Sequence, residues 1–429
     1  MRHRLLARAV ASAIVVSLLA GCGSTPSSSA PASGAEPTAG ASSDAGGPPA
    51  EGAVLTKEQI RAAIESEGHT VFIKSWDFIG LAKDVFVAQF KRYTQSEYGI
   101  PVDVVWDPTN GALQQAEQAG KLASEVGLDV IDSEEDHDPK LNELGWIEKI
   151  NQPQYENVLT NWSRVEAPYI VADGMGVIYQ GFEWIAPVFR KDQVDPAAFT
   201  DWTDLAKPEY KGKIVTYLMK DIRGQNLFYA VLNSLIKQGI VQGDLFSPAA
   251  VTEGLKWFKA NIAPNILKYG DIPEFRTAMQ SGEAAVAITW GGYIRDMMAS
   301  DWNTRDNVLV PVYPASGSGA DREEMRVAKG TKHPVTARVL INWMMSRDFL
   351  MLGWYKDTAT GPDTNHWGVN QKQFLGTYNG GINAEDRTLL PDWAKPYYPT
   401  DPGKLTLVLD FGYIAKNSEA VSKEYDALP

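Results

Sequence analysis

Three stretches of this 429-residue sequence carry side chains able to hold a small charged molecule. DSEEDHD (132–138) gathers five acids around Ser133 and His137, and KDIRGQN (220–226) sets Asp221 two residues before Arg223. Trp76 and Trp290 close the apolar runs HTVFIKSW and AAVAITW. An indole face can hold an ammonium group by cation–π attraction or stack on a sugar ring, although either Trp could equally be core. The acidic stretch reads as a solvated loop or as a cation-facing wall. Its spacing fits neither a calcium loop nor a zinc pattern, so no metal site is assigned. Asp221 suits a cation, whereas Arg223 with helix-start amides suits an anion, and a plain exposed cap stands beside both readings. No catalytic residue is assigned and no cofactor is expected: there is no G-x-S-x-G, H-E-x-x-H or P-loop, and His occurs five times. A carboxylate pair for glycoside chemistry stays open, because any two acids can meet in space.

The elements that must position these residues alternate. Thr56 with Gln59 is a capping-box signature and Gly68 a stop, which predicts a helix over 57–67. Strands are expected at 69–76, 100–106 and 127–132, with helices at 81–93 and over NGALQQAEQAGKLASEV between them. The second half repeats the theme: strands at 212–218 and 284–290, a helix over 225–237 stopped by Gly239, an extended run at 307–314 and an apolar helix over 334–346. Alternation of this kind predicts an α/β protein with mostly parallel sheets, whose ligands sit beyond the carboxyl ends of the strands. Those ends are Ser75-Trp76-Asp77, Asp107 to Asn110 and Asp132 to Asp138.

A formal charge of −13 makes the chain a poor nucleic-acid binder. Arg2, Arg4 and Arg8 followed by an apolar run to Ala20 read as a secretory signal, too short to span a bilayer comfortably. Residues 23–52 are Ser, Ala, Gly, Pro and Thr with three acids, a composition that cannot offset ordering entropy and reads as a flexible tether. About 375 residues remain, more than one core usually supports, so two lobes are expected. Thirteen Trp, seventeen Tyr and fourteen Phe are enough to fill those cores and still line a cleft.

Leu19-Ala20-Gly21-Cys22 resembles a bacterial lipobox, which implies cleavage after Gly21 and acylation of Cys22, the only cysteine. Two or more acyl chains hold a protein stably on a membrane. Behind this signal, VFIKSWDFIGLAKDVFVAQF, GLDVIDSEEDHDPKLNELGWIEKIN, APYIVADGMGVIYQ, TDWTDLAKPEYKGKIVTY, FRTAMQSGEAAVAITWGGY and MRVAKGTKHPVTARVLINWMMS occur in an order and spacing that resembles bacterial ABC-transporter solute-binding proteins. The likeness is to the group containing spermidine/putrescine and ferric-iron receptors. It implies a two-lobed, type II periplasmic-binding-protein fold with crossing hinge segments and an interlobe cleft. Its expected divisions are a signal (1–21), a lipidated tether (22–52), lobe 1 (53–172 and 291–346) and lobe 2 (173–290 and 347–429). Hinges are expected near Val171 to Gly174 and Gly291 to Tyr293, with a third passage near Ser346 to Phe349.

The resemblance also assigns candidate ligand positions: Trp76, Asp77, Ser133, Glu135, Asp221, Arg223, Trp290 and Tyr293. The chain departs from the polyamine pattern at Gly224 and Gly292, where acids are expected, and from the ferric pattern in GGY, which leaves only Tyr293. The acidic body and the two Trp favour a polyamine or other organic cation, followed by a sugar or polyol and then an anion. The implied partners are that solute, an ABC permease and membrane lipid through Cys22, with the receptor extracytoplasmic and monomeric. A lipid-tethered hydrolase and a purely structural envelope protein are the competing classes.

Overall fold

The computed structural model describes residues 53–75, 83–107, 111–134, 138–161, 170–171, 174–298, 300–346, 349, 395–397 and 406–429. Cys22, the leader and the tether lie outside the described residues. So do Trp76, Asp77 and Glu135. Contacts divide the chain into Met1–Ala45 and Gly46–Pro429, and the described residues all belong to the second unit.

The chain enters through α1 (Lys57–Glu67), where Thr56 and Gln59 form the expected capping box and Gly68 closes the helix at φ +100°. β1 (Thr70–Lys74), α2 (Lys83–Tyr98), β2 (Asp103–Asp107), α3 (Gly111–Ala119) and β3 (Val130–Glu134) follow. The helix expected through residue 126 stops at Ala119, because Gly120 takes a left-handed conformation, and a 3₁₀ turn covers Ala123–Val126. Then come α4 (Asp138–Glu143), β4 (Ile147–Glu148), β5 (Ile170–Val171) and β6 (Gly176–Trp184). With two later strands, β12 (Ser318–Ala328) and β13 (Thr406–Val408), they build a first sheet in the order β2-β1-β3-β12-β6-β5, with β4 and β13 pairing to β12.

β7 (Ala186–Arg190) opens a second sheet after a single residue, Ile185. It is followed by β8 (Ile214–Thr216), α5 (Ile222–Lys237), α6 (Pro248–Asn261), β9 (Ile266–Tyr269), α7 (Ile272–Ser281), β10 (Val286–Thr289), α8 (Gly291–Met298), α9 (Asp301–Asp306) and β11 (Leu309–Pro311). The order is β11-β7-β10-β8-β9. The chain returns through residues 312–317 to β12 (Ser318–Ala328), then forms α10 (Pro334–Met344), β13 (Thr406–Val408) and a C-terminal helix (Phe411–Ala427).

The sheets are mixed rather than mostly parallel. β1 pairs in parallel with β2 and β3, but β12 runs antiparallel to β3 and β6, because β6 and β12 are the strands that leave for the second sheet and come back from it. The chain therefore changes sheet at Ile185 and again over 312–317. Val171 pairs with Gly176 inside the first sheet, and Gly291 to Tyr293 form the first turn of α8 within the second.

Each sheet has its own core. Phe86, Phe90, Trp343 and Phe349 pack edge to face or tilted in the first, with ring centroids 5.1 to 5.9 Å apart among Phe86, Phe349 and Trp343. Trp202, Tyr210, Phe228, Tyr229 and Phe258 fill the second, and Phe411, Ile414, Val421 and Tyr425 of the C-terminal helix join it.

The return segment is gripped from the second-sheet side. The Ser316 carbonyl accepts from Asn233 Nδ2 at 2.9 Å and Lys237 Nζ at 2.8 Å, both on α5. Trp202 Nε1 donates to the Gly317 carbonyl at 2.8 Å, and Ser316 Oγ donates to Asp201. Gly319 is needed for its bareness, since a Cβ there would lie 2.0 Å from Asn226 Oδ1. The two crossing strands are themselves bonded, Ile185 N to the Gly319 carbonyl at 3.1 Å.

Candidate functional site

Strand direction places the chemistry. β1, β2 and β3 end on the side of the first sheet from which β6 departs, and β8, β9 and β10 end on the side of the second sheet at which β7 begins. The crossing strands thus join the carboxyl edges of the two sheets, the place where α/β folds collect ligands.

On the first edge the polar residues bind one another. Ser75 Oγ donates to Asp132 Oδ2 at 2.6 Å, and Lys74 Nζ donates to the Asp132 carbonyl at 2.9 Å. Arg326 Nε donates to Ser133 Oγ at 2.9 Å, and Arg326 Nη2 pairs with Glu324. Lys74, Asp132, Ser133, Glu324 and Arg326 are all buried. Gly176 lies over the ion pair, where a Cβ would sit 3.2 Å from Arg326 Cγ and 3.3 Å from Glu324 Oε2. Ser133 is accordingly a strand residue tied to Arg326, and Asp132 is a buried strand residue rather than part of a solvated loop.

The second edge carries the other expected residues. Asp221 caps α5, its Oδ1 accepting from Arg223 N at 2.9 Å. Arg223 forks onto the same carboxylate, Nε to Oδ1 at 2.8 Å and Nη2 to Oδ2 at 2.7 Å, while its Nη1 reaches Asp271 Oδ1 at 3.1 Å. Its guanidinium lies 4.3 Å from the ring centroid of Tyr217. The Tyr217 hydroxyl is 2.6 Å from Thr289 Oγ1 at the end of β10. Burial alone would raise the Asp221 carboxyl, but the bonds and charge of Arg223 outweigh it and hold the group below the usual carboxylate range. Burial, with Tyr293 and Asp271 nearby, pushes the Tyr217 phenol up despite Thr289 and Arg223.

Asp221 and Arg223, which suited opposite solutes in the sequence, are therefore partners. Trp290 is 5 % exposed and belongs to the second core; its carbonyl accepts from Ile294 N at 3.0 Å and starts α8. Tyr293 is half-buried on the first turn of that helix. Gly224 is explained by packing: a Cβ would stand 2.1 Å from the Leu218 carbonyl oxygen. The sequence reading missed Tyr217, Asp271, Lys74, Glu324 and Arg326. Alternation at 324 and 326 along β12 and the strand-end position of Lys74 were the available signals.

Among the described residues no group of three or more His, Cys, Asp or Glu is placed to hold a metal ion, and no helix is long and apolar enough to cross a membrane. A groove of about 1120 Å³ runs along the opposite edge of the second sheet, lined by Lys191, Phe199, Asp306, Val308 and Val310. It lies away from the paired charges and is not the candidate.

Two sheets joined by crossing strands, with their carboxyl edges on the same side as the crossings, define the type II periplasmic-binding-protein fold. Solved structures agree. A solute-binding protein from Bordetella parapertussis superposes with TM-score 0.59 at 15% identity, covering 84% of this chain and 98% of that one. The spermidine/putrescine ABC transporter substrate-binding protein of Streptococcus pneumoniae gives 0.58 at 18%, covering 84% and 99%. The chain belongs to the bacterial extracellular solute-binding protein family, whose model matches residues 80–348. It is 26% identical over 216 residues to the spermidine/putrescine-binding periplasmic protein of Escherichia coli (strain K12). That match spans 49% of this chain and 56% of the relative, about half of each.

Proposed function

We propose that the protein is the extracytoplasmic receptor of an ABC importer, capturing a small organic cation between its two sheet bodies and delivering it to a permease. A polyamine is the first choice of solute. The observation that carries this reading is the second edge, where two carboxylates and an aromatic face converge on one guanidinium. That is the chemistry an alkylammonium solute requires. The partial likeness to polyamine-binding relatives supports it. Because Arg223 is committed to two carboxylates, an anion is less well supported, and a sugar or polyol stands second.

The leader at 1–21, the cysteine at 22 and the tether to 52 support a lipid anchor that keeps a monomeric receptor beside its permease. An N-terminal peptide from membranes without an acyl mass on Cys22 would remove that part of the reading. For the solute, thermal unfolding is scanned against spermidine, putrescine, sugars and phosphonates. A ligand at about 100 times its dissociation constant adds about 2.7 kcal/mol of stability. A shift with the amines, saturable and without turnover, is the expected result. A shift with sugars alone transfers the cargo to that class, turnover of any compound favours a hydrolase, and silence across the panel removes polyamines, sugars and phosphonates as the cargo.

A further inference from the structure

Two helix starts meet on the second carboxyl edge, and their capping carboxylates share a cation. Asp221 caps α5 through Arg223 N, and Asp271 caps α7 through Ile272 N at 2.8 Å. The third wall is Tyr217, itself 2 % exposed and pinned by Thr289. A planar aromatic face with two carboxylates at its rim is a receptor for an ammonium or guanidinium group. We propose that Tyr217, Asp221 and Asp271 form a cation cage that the chain fills with its own Arg223, so that an alkylammonium solute binds by displacing that side chain. The inference rests on the organic-cation reading above and specifies how that solute is held.

Three features make the displacement workable. The carboxylates are fixed by backbone amides of helix starts, so they keep their places when the guanidinium leaves. Arg223 and Asp271 have side chains 24 % and 56 % exposed, so their ion pair is of the weak, water-accessible kind. One guanidinium against two carboxylates also leaves the cage with a net negative charge, which attracts a second cation. Arg223 then sets the affinity of the receptor by occupying the cage in competition with the solute.

Spermidine titration of the full chain tests this. Arg223→Gln is expected to bind spermidine about tenfold more tightly than the parent, because the internal competitor is gone. Adding Asp271→Asn to that variant should return the affinity to the parent's value or below. Where the parent binds spermidine, equal or weaker binding by Arg223→Gln overturns the proposal. A second measurement does not depend on the natural solute: methylguanidinium should raise the unfolding midpoint of Arg223→Ala while leaving the parent nearly unmoved. Equal responses of parent and variant overturn the cage. Rescue by methylguanidinium without spermidine binding in either protein upholds the cage and removes the polyamine reading instead.

Discussion

Arg326→Met is expected to lower the unfolding free energy by about 3–5 kcal/mol. Arg326 is 0 % exposed, as is its partner Glu324, and its Nε also serves Ser133 on the neighbouring strand. Methionine matches much of the arginine's volume, so little of the loss comes from packing. The loss comes from leaving the Glu324 carboxylate buried without its cation. Urea unfolding with an unchanged m-value would read it directly. The companion variant, Arg326→Met with Glu324→Leu, is expected to recover most of the stability, since removing both charges removes the desolvation problem with them. If the single variant unfolds within about 1 kcal/mol of the parent, Glu324 is not held as a buried anion and the account of this edge is wrong.

The second large effect belongs to Gly224→Ala. Alanine is favoured over glycine inside a helix by about 1 kcal/mol, so propensity alone predicts a gain. Geometry predicts the reverse: the new Cβ would stand 2.1 Å from the Leu218 oxygen and 2.7 Å from its carbon, both backbone atoms. Overpacking of this kind typically costs about 1–3 kcal/mol and here meets backbone that has no rotamer to yield with. A net loss of about 2 kcal/mol is expected. The first turn of α5 must also tilt, which carries Asp221 and Arg223 off Tyr217, so weaker solute binding should accompany the lower midpoint. A variant as stable as the parent would show that α5 does not sit against Leu218.

Local grammar was the legible part of this chain. Thr56, Gln59 and Gly68 bound α1, and β-branched runs marked β1, β3, β8 and β10 to within a few residues, because caps and hydrophobic period act over one or two turns. The passages between sheets were not legible. Trp184, Ile185 and Ala186 read as one continuous apolar stretch, and only pairing with β12, far along the chain, decides that the first belongs to one sheet and the last to the other. The candidate site shows the same division. Asp221 and Arg223 were visible as a helix start, but that they share a cage with Tyr217 and Asp271 depends on β8 and β9 lying side by side. Ser133 looked free to meet a solute because its partner, Arg326, comes from a strand 193 residues later. Trp290 looked like a wall, yet it is 5 % exposed within the second core, so Trp290→Ala is a poor probe of binding alone.

The grip on residues 316–319 has a mechanical consequence. A hinge needs a stretch whose dihedrals can change without breaking bonds, and this return segment has little such freedom. Asn233, Lys237 and Trp202 all hold it to the second sheet, and Asn226 fills the space beside Gly319. If the two bodies rotate against each other, the segment travels as part of the second one, like the end of a lever clamped to its arm. The fulcrum then falls beyond it, on β6 and β12, where a register shift between Arg322 and Glu324 already interrupts the ladder.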